Sequence, residues 1–438
     1  YFLSSLYWVA NALTFDENLK VFIPIGTVLV PSFLALFYGL IFFITSFFKL
    51  KYNFSSIIIF AIIFSVVEFF RGYILGGFPW NLIGSSWSNY INFIQILPFM
   101  GTYAFNLFSI TLFLSSLVLI FKIPKNIKYI YFLSIILMIG INFYYGSNVI
   151  KKYNKINVLE LDTKIKIISP KVEIKRFYEA NSSEKIIFDL INLSEPEKHD
   201  DAIFIFPEGI LTDIYLEELE KFKFYFQENF TENHKIILGI NSNKNGKIYN
   251  SMVLIDKDLN ILSSYKKNKL VPFGEFLPFE NILNKIGLKK ITRGYGSFTK
   301  GNVQKNFSIE NAKILPLICY EIIFPELIQN SNKNTNLIIN ISEDAWFGDS
   351  IGPKQHFTKA IFRAIENNTY LVRSTNKGIS GFVDNKGRVI KSLNPNETGN
   401  IELKVPLIEN NKKNKNDLIF FILLFTYTII FFTKKNKL

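Results

Sequence analysis

The chain holds a single cysteine in 438 residues, Cys319. It closes the apolar run Leu315-Pro316-Leu317-Ile318, and Glu321 follows two positions later. A lone thiol cannot form a disulfide within the chain. It is either a small buried hydrophobe or a reactive group. A reactive thiol needs a base to take its proton and a donor to hold the oxyanion its attack creates. His199, His234 and His356 are scattered, with no cysteine-protease context. One cysteine and scattered histidines give no metal-ligand spacing either, so no metal or cofactor is expected. What remains is a carboxylate base with an ammonium neighbour. Glu208 follows the apolar run 202–206 and Pro207, while Lys266, Lys267 and Lys269 lead into Leu270-Val271-Pro272-Phe273-Gly274-Glu275. A buried carboxylate can accept a thiol proton, and an ammonium beside sulfur favours the thiolate. These residues read as acyl chemistry on Glu, Lys and Cys. They read equally as a buried cysteine, a capping glutamate and surface lysines.

The elements around them are those of an α/β domain. Short, continuous apolar runs at 202–206, 235–240, 313–318, 336–341, 371–374 and 379–383 predict strands of a sheet buried on both faces. Between them, Pro353–Glu366 has helical spacing, with Phe357, Ile361, Ala364 and Ile365 on one face. Working residues in such sheets gather at the carboxyl ends of strands. Glu208, Cys319 and the run from Glu343 to Gly348 all stand there.

The first 150 residues differ in kind. Val21–Phe48 carries no charge over 28 residues, more than the ~20 that span a bilayer. Phe54–Val67, Gln95–Phe121, Tyr129–Ile150 and Leu418–Thr433 are further predicted spans. Residues 72–94 hold Gly, Pro, Asn, Ser and two Trp, which predicts an interfacial or re-entrant loop. Tyr1–Phe15 is uncharged and lacks a basic leader, so the chain is expected to begin inside a membrane helix, truncated at its N-terminus. The organisation is therefore 1–150 as a membrane domain, 155–405 as an α/β domain and 417–433 as a closing membrane helix.

The net charge of +13 comes mostly from lysines flanking apolar runs, with no aromatic-interleaved basic stripe, which argues against nucleic acid. Lys49 and Lys51, then Lys122, Lys125 and Lys128, then Lys434, Lys435 and Lys437 mark cytoplasmic loops. The alternate loops hold only Lys20 and Arg71. That count puts 151–416 on the outer side, against Lys412, Lys413 and Lys415, which flank the last helix there. Glu68 and Arg71 lie three apart on one helical face near a membrane helix end, and they read equally as functional charges and as a local ion pair at the interface.

Several runs, in order, carry a resemblance. They are Glu68-Phe69-Phe70-Arg71-Gly72 with Phe78-Pro79-Trp80, then Phe206-Pro207-Glu208, then the stretch from Tyr265 to Pro278, then Ile318-Cys319-Tyr320-Glu321-Ile322, then the stretch from Asp344 to Pro353, then Arg373-Ser374-Thr375-Asn376-Lys377-Gly378. The chain resembles the bacterial apolipoprotein N-acyltransferases, membrane-embedded members of the nitrilase (carbon–nitrogen hydrolase) superfamily. The resemblance implies a multi-span α-helical membrane domain plus an α/β nitrilase-like domain, an α-β-β-α sandwich. It implies Cys319 as nucleophile, Glu208 as general base and Lys267 as the oxyanion-stabilising ammonium, chosen over Lys266 and Lys269 by the family's Tyr-x-Lys pattern. Glu275, Tyr320 and Glu321 match supporting positions, and Trp80 and Trp346 match positions linked to lipid handling. The implied reaction takes an acyl chain from a phospholipid and places it on the diacylglyceryl-cysteine amine of an apolipoprotein. The implied location is the bacterial inner membrane, with the catalytic domain in the periplasm. A membrane-tethered amidase using the same three residues is the alternative, and a non-enzymatic lipoprotein-binding protein is a third. The chain departs from the family pattern at Lys269 (often His), Gly209 (often a small hydroxyl residue), Glu343 (usually Asn) and the run Ile168-Ser169-Pro170-Lys171 (usually with Gln).

Overall fold

The computed structural model describes residues 1–153, 159–177, 183–283, 285, 297–302, 306–329, 335–408 and 416–435. Lys412, Lys413, Lys415 and Lys437, used above for topology, and the expected boundary at 155 lie outside them.

The first 153 residues form α1 (Phe2–Leu6), α2 (Ile23–Ser46), α3 (Phe54–Arg71), α4 (Leu97–Leu114) and α5 (Lys125–Tyr153). With their flanking turns, four helical segments are long and apolar enough to cross a membrane among the described residues: Glu17–Ser46, Phe54–Arg71, Phe93–Ile120 and Lys125–Tyr153. α2 and α5 leave most of their apolar surface unburied by protein, which is stable only against lipid. The stretch 72–94 is no long helix. It forms short turns at Ile74–Gly76 and Ile83–Trp87 before Phe93–Ile96. Glu68 and Arg71 pair at 3.2 Å, both fully buried, with Asn106 also donating to Glu68.

The polar part is a two-sheet sandwich. Its helices are α6 (Ser183–Ser194), α7 (Lys223–Asn229), α8 (Glu280–Leu283), α9 (Pro325–Gln329) and α10 (Gly352–Glu366). Its strands begin with β1 (Leu159–Glu160), β2 (Lys164–Ser169), β3 (Ala202–Ile205), β4 (His234–Lys244), β5 (Lys247–Ile255) and β6 (Ile261–Lys266). They continue with β7 (Phe307–Ile309), β8 (Ala312–Ile318), β9 (Leu337–Glu343), β10 (Tyr370–Asn376), β11 (Ser380–Val383), β12 (Val389–Leu393), β13 (Gly399–Leu403) and β14 (Pro406–Leu407). One sheet runs β13-β2-β3-β4-β5-β6 and the other β12-β11-β10-β9-β8-β7. The central strands β2-β3-β4 and β8-β9-β10 are parallel, and the outer pairings are antiparallel.

Alternation along the central strands explains the layers. Ile203 and Ile205 face the second sheet, where they meet Ile314, Ile318, Ile339 and Val372. Phe204 and Phe206 point the other way, onto Ile187, Leu190 and Phe226 of α6 and α7. On the second sheet, Leu315, Leu317 and Ile338 point outward onto Phe357, Ala360 and Ala364 of α10. α10 is buried on two sides, because Phe362 and Ile365 pack into the membrane core with α4. The single apolar face expected from the sequence is therefore too narrow: Ile361 is half-buried, while Ala360 and Phe362 are buried. The chain closes with α11 (Asn416–Lys435), which returns to the membrane helices and packs on α3 and α4.

Candidate active site

Three strand ends meet at one point between the sheets. Glu208 stands on the turn after β3, Lys267 directly after β6, and Cys319 directly after β8. Lys267 is 1% exposed, and its Nζ lies 2.9 Å from Glu208 Oε1 and 2.9 Å from Glu275 Oε1. Asn250 on β5 donates its Nδ2 to the same two oxygens, at 2.7 Å each. The other oxygen of Glu208 accepts the Glu343 N–H at 2.9 Å, and that of Glu275 accepts the Val271 N–H at 2.8 Å. Both carboxylates are thus held by charge-assisted bonds from two sides. Close backbone approach is required here: a Cβ on Gly239 would stand 2.6 Å from Glu208 Cα. That contact gives the glycine in β4 a structural reason.

Cys319 sits in the left-handed region, with φ +50°. A non-glycine residue held there is strained and must be fixed by its surroundings. Glu321 does much of the fixing. Its Oε2 accepts the Ile318 N–H at 2.8 Å, and its Oε1 accepts Tyr265 Oη–H at 2.8 Å, Asn268 N–H at 2.7 Å and Lys269 N–H at 3.1 Å. One carboxylate therefore clamps the Cys319 turn to the segment carrying Lys267. Burial pushes the Glu321 carboxyl up to about 7, against the pull of those donors. Tyr320 points the opposite way. Its hydroxyl donates to Gly77 O at 2.6 Å and its ring stacks on Phe78, which ties the Cys319 turn to the loop after α3.

The electrostatics set the resting state. Burial would lower the Lys267 ammonium, but Glu208, Glu275 and Cys319 outweigh it and hold the pKa well above normal. Burial, and then the Glu208 charge, push the Cys319 thiol well above its usual range, with Lys267 and a Ser342 hydrogen bond pulling the other way. The resting sulfur is therefore a thiol, and it would have to give up its proton to act as a nucleophile.

Lys266 and Lys269 are elsewhere. Lys266 lies over the Tyr249 ring, and Lys269 pairs with Glu326 at 3.0 Å. Trp346 is half-buried between Phe15 and Phe177. Trp80 is 2% exposed, packed against Trp8 and His356, and donates to Gln355 at 2.8 Å.

The sequence reading passed over several residues that surround this centre. Asn250 carries no motif signal. Glu343, noted as a departure, accepts Arg176 and Asn376 while its backbone steadies Glu208. Asp344, His356 and Arg373 form a buried cluster beside the nucleophile. Arg373 bonds both Asp344 oxygens, at 3.0 and 2.9 Å, and His356 Nδ1 lies 3.0 Å from Asp344. Burial and the Arg373 charge lower the His356 pKa, which keeps the ring neutral. Among the described residues no group of histidine, cysteine and carboxylates is arranged to hold a metal ion.

Comparisons with known proteins cover both parts of the chain. Residues 193–409 match the carbon–nitrogen hydrolase family, and residues 1–117 match the apolipoprotein N-acyltransferase N-terminal domain. The apolipoprotein N-acyltransferase of Rickettsia prowazekii (strain Madrid E) is 32% identical over 414 residues, covering 93% of this chain and 81% of that protein. The Brucella melitensis protein of the same name is 30% identical over 427 residues, covering 93% and 78%. A solved amidase from Nesterenkonia sp. overlays 60% of this chain and 97% of its own at 15% identity, with a TM-score of 0.43.

Proposed function

The chain belongs to the apolipoprotein N-acyltransferase family, and we propose that it performs acyl transfer through Cys319, with Glu208 as general base and Lys267 as the ammonium facing the oxyanion. It is a multi-span membrane acyltransferase with a nitrilase-like domain. The acyl donor in this reading is a phospholipid and the acceptor is the diacylglyceryl-cysteine amine of an apolipoprotein. Residues 155–405 are read as the catalytic unit, on the periplasmic side of the bacterial inner membrane.

In the first half-reaction, Glu208 takes the Sγ proton as sulfur attacks the ester carbonyl. The C=O electrons move to oxygen, and Lys267 Nζ stabilises that charge. Collapse breaks the ester C–O bond, and the lysophospholipid oxygen leaves with the proton from Glu208. A thioester remains on Cys319. In the second half, the acceptor amine attacks the thioester and Glu208 takes its proton. Collapse forms the amide and expels the Cys319 thiolate, which takes the proton back. Glu275 and Asn250 hold Lys267 and Glu208 in place, and Glu321 holds the Cys319 turn.

The observation that carries this reading is the buried Lys267 ammonium, bridged at 2.9 Å to both Glu208 and Glu275 and close enough to Cys319 to sense its charge. Phe273 and Phe279, in the loop around Glu275, are exposed and offer an apolar approach, which suits an acyl chain better than a small amide. The test is incubation with phospholipid followed by mass measurement. A single hydroxylamine-sensitive acyl group is expected on the wild-type chain and none on Cys319→Ala. Acyl label held as a thioester by Cys319→Ala would sink the mechanism, since the chain holds no other thiol.

A further inference from the structure

A second buried ammonium lies away from the catalytic centre. Lys359, on α10, is 7% exposed, and its Nζ donates to Ser85 Oγ at 2.8 Å. Among the described residues no carboxylate pairs with it. The cations beside it are already matched: Arg363 with Glu366 at 2.9 Å, and Arg71 with Glu68 at 3.2 Å. Burial, then Arg363 and Arg71, pull the Lys359 pKa down to about 7.

Lys359 lines a cavity of about 520 Å³, within the range of small-molecule and lipid sites. Phe64, Ile110 and Leu114 of the membrane helices α3 and α4 line it from the apolar side, and Ser85 and Thr358 stand with Lys359 in its wall. Neither Glu208, Lys267 nor Cys319 lines it. We propose that this cavity binds a membrane lipid with a net-negative phosphate headgroup, its phosphate on Lys359 and Ser85 and an acyl chain against Phe64, Ile110 and Leu114. The charge argues for an anion, because the one carboxylate acting on Lys359, Glu68, is itself bonded to Arg71, and a phosphate oxygen supplies the direct partner that the buried ammonium lacks among the described residues. The apolar half argues for a lipid over free phosphate, because α3 and α4 are themselves membrane-spanning segments. Trp80, a position linked above to lipid handling, lines the cavity too, but the three residues of the proposed acyl transfer do not, so the site is tested without relying on that reading.

Native mass spectrometry of the detergent-purified full chain, titrated with phosphatidylglycerol or phosphatidylcholine, tests it. One phosphatidylglycerol is expected to bind at least about fivefold more tightly than phosphatidylcholine, because both bring the phosphate but only phosphatidylcholine brings a choline cation next to Lys359, Arg363 and Arg71. Lys359→Met should erase that preference, and Leu114→Trp, which fills the apolar end, should weaken both lipids. Acyl label should still form on Cys319 in Lys359→Met, which shows a folded protein and keeps this test apart from the catalytic one. Equal binding of the two lipids, an intact preference in Lys359→Met, or competition by inorganic phosphate would each overturn the proposal.

Discussion

Lys267 and Lys359 are both buried ammonium groups, yet the protein treats them in opposite ways. Lys267 faces two carboxylates at 2.9 Å, and its proton is held more tightly than in water. Lys359 faces one hydroxyl and two neighbouring cations, and its proton is held more loosely. Burial is common to both, so burial does not decide the charge. The groups across from the nitrogen decide it. The first cation is neutralised within the folded chain and serves as fixed machinery. The second has no carboxylate bonded to it among the described residues, so its charge is relieved by losing the proton or by an anion that arrives.

The largest expected effect tests the first half of that contrast. Lys267→Met leaves Glu208 and Glu275 facing each other with only Asn250 between them. Removing one partner of a buried ion pair costs about 3–5 kcal/mol. Losing an oxyanion donor lowers the rate of acyl-enzyme formation by roughly 10²–10³-fold. Denaturant unfolding in detergent and the trapping rate measure the two. An Lys267→Met protein as stable as wild type would mean the three charges are not coupled as the geometry implies.

Lys359→Met should act with the opposite sign. An unfolded lysine titrates near ~10.4, and the folded one at about 7. The unfolded state therefore binds more protons between those values, and stability rises with pH across that window. The penalty is fully present below pH 7 and gone near the unfolded value. In neutral detergent at pH 6, Lys359→Met should be more stable than wild type by about 1–4 kcal/mol, and the gap should close as the pH approaches ~10. Added phosphatidylglycerol should narrow the gap at pH 6 by stabilising the wild type alone. A destabilised Lys359→Met at pH 6 would break the comparison.

The sequence announced one of these lysines and was silent on the other, for a physical reason. The run Leu270-Val271-Pro272-Phe273-Gly274-Glu275 marks the segment, and the family's Tyr-x-Lys pattern, not the local residues, picks Lys267 from Lys266 and Lys269. The central strands were legible because β3, β4, β8, β9, β10 and β11 are buried on both faces and read as continuous apolar runs. The outer strands β6 and β12, with polar and half-exposed residues, left no such trace. Lys359 lies off the apolar face of Phe357, Ile361, Ala364 and Ile365 that the spacing predicts for its helix. Only the docking of α10 between the second sheet and α4, an association of distant segments, buries the lysine. Asn250 and the Arg176–Glu343 pair were hidden likewise, because their partners are separated by 25 or more residues.

The smallest expected effect places the boundary between the two lysines at the sulfur itself. Cys319 is half-buried, and its thiol is pushed up by burial and by Glu208 and pulled down by Lys267; Lys359 is not among the groups acting on it. Alkylation by iodoacetamide should therefore keep rising with pH past ~8.5, where an ordinary thiol levels off. Glu208→Gln removes a raising charge and should move the inflection down. Lys267→Met removes a lowering charge and should move it up. Lys359→Met should leave the curve where it is. If Glu208→Gln raised the inflection, the Glu208 charge would not reach the sulfur and could not be the base. If Lys359→Met moved it, the cavity and the catalytic centre would share one field, and the two lysines would belong to a single site.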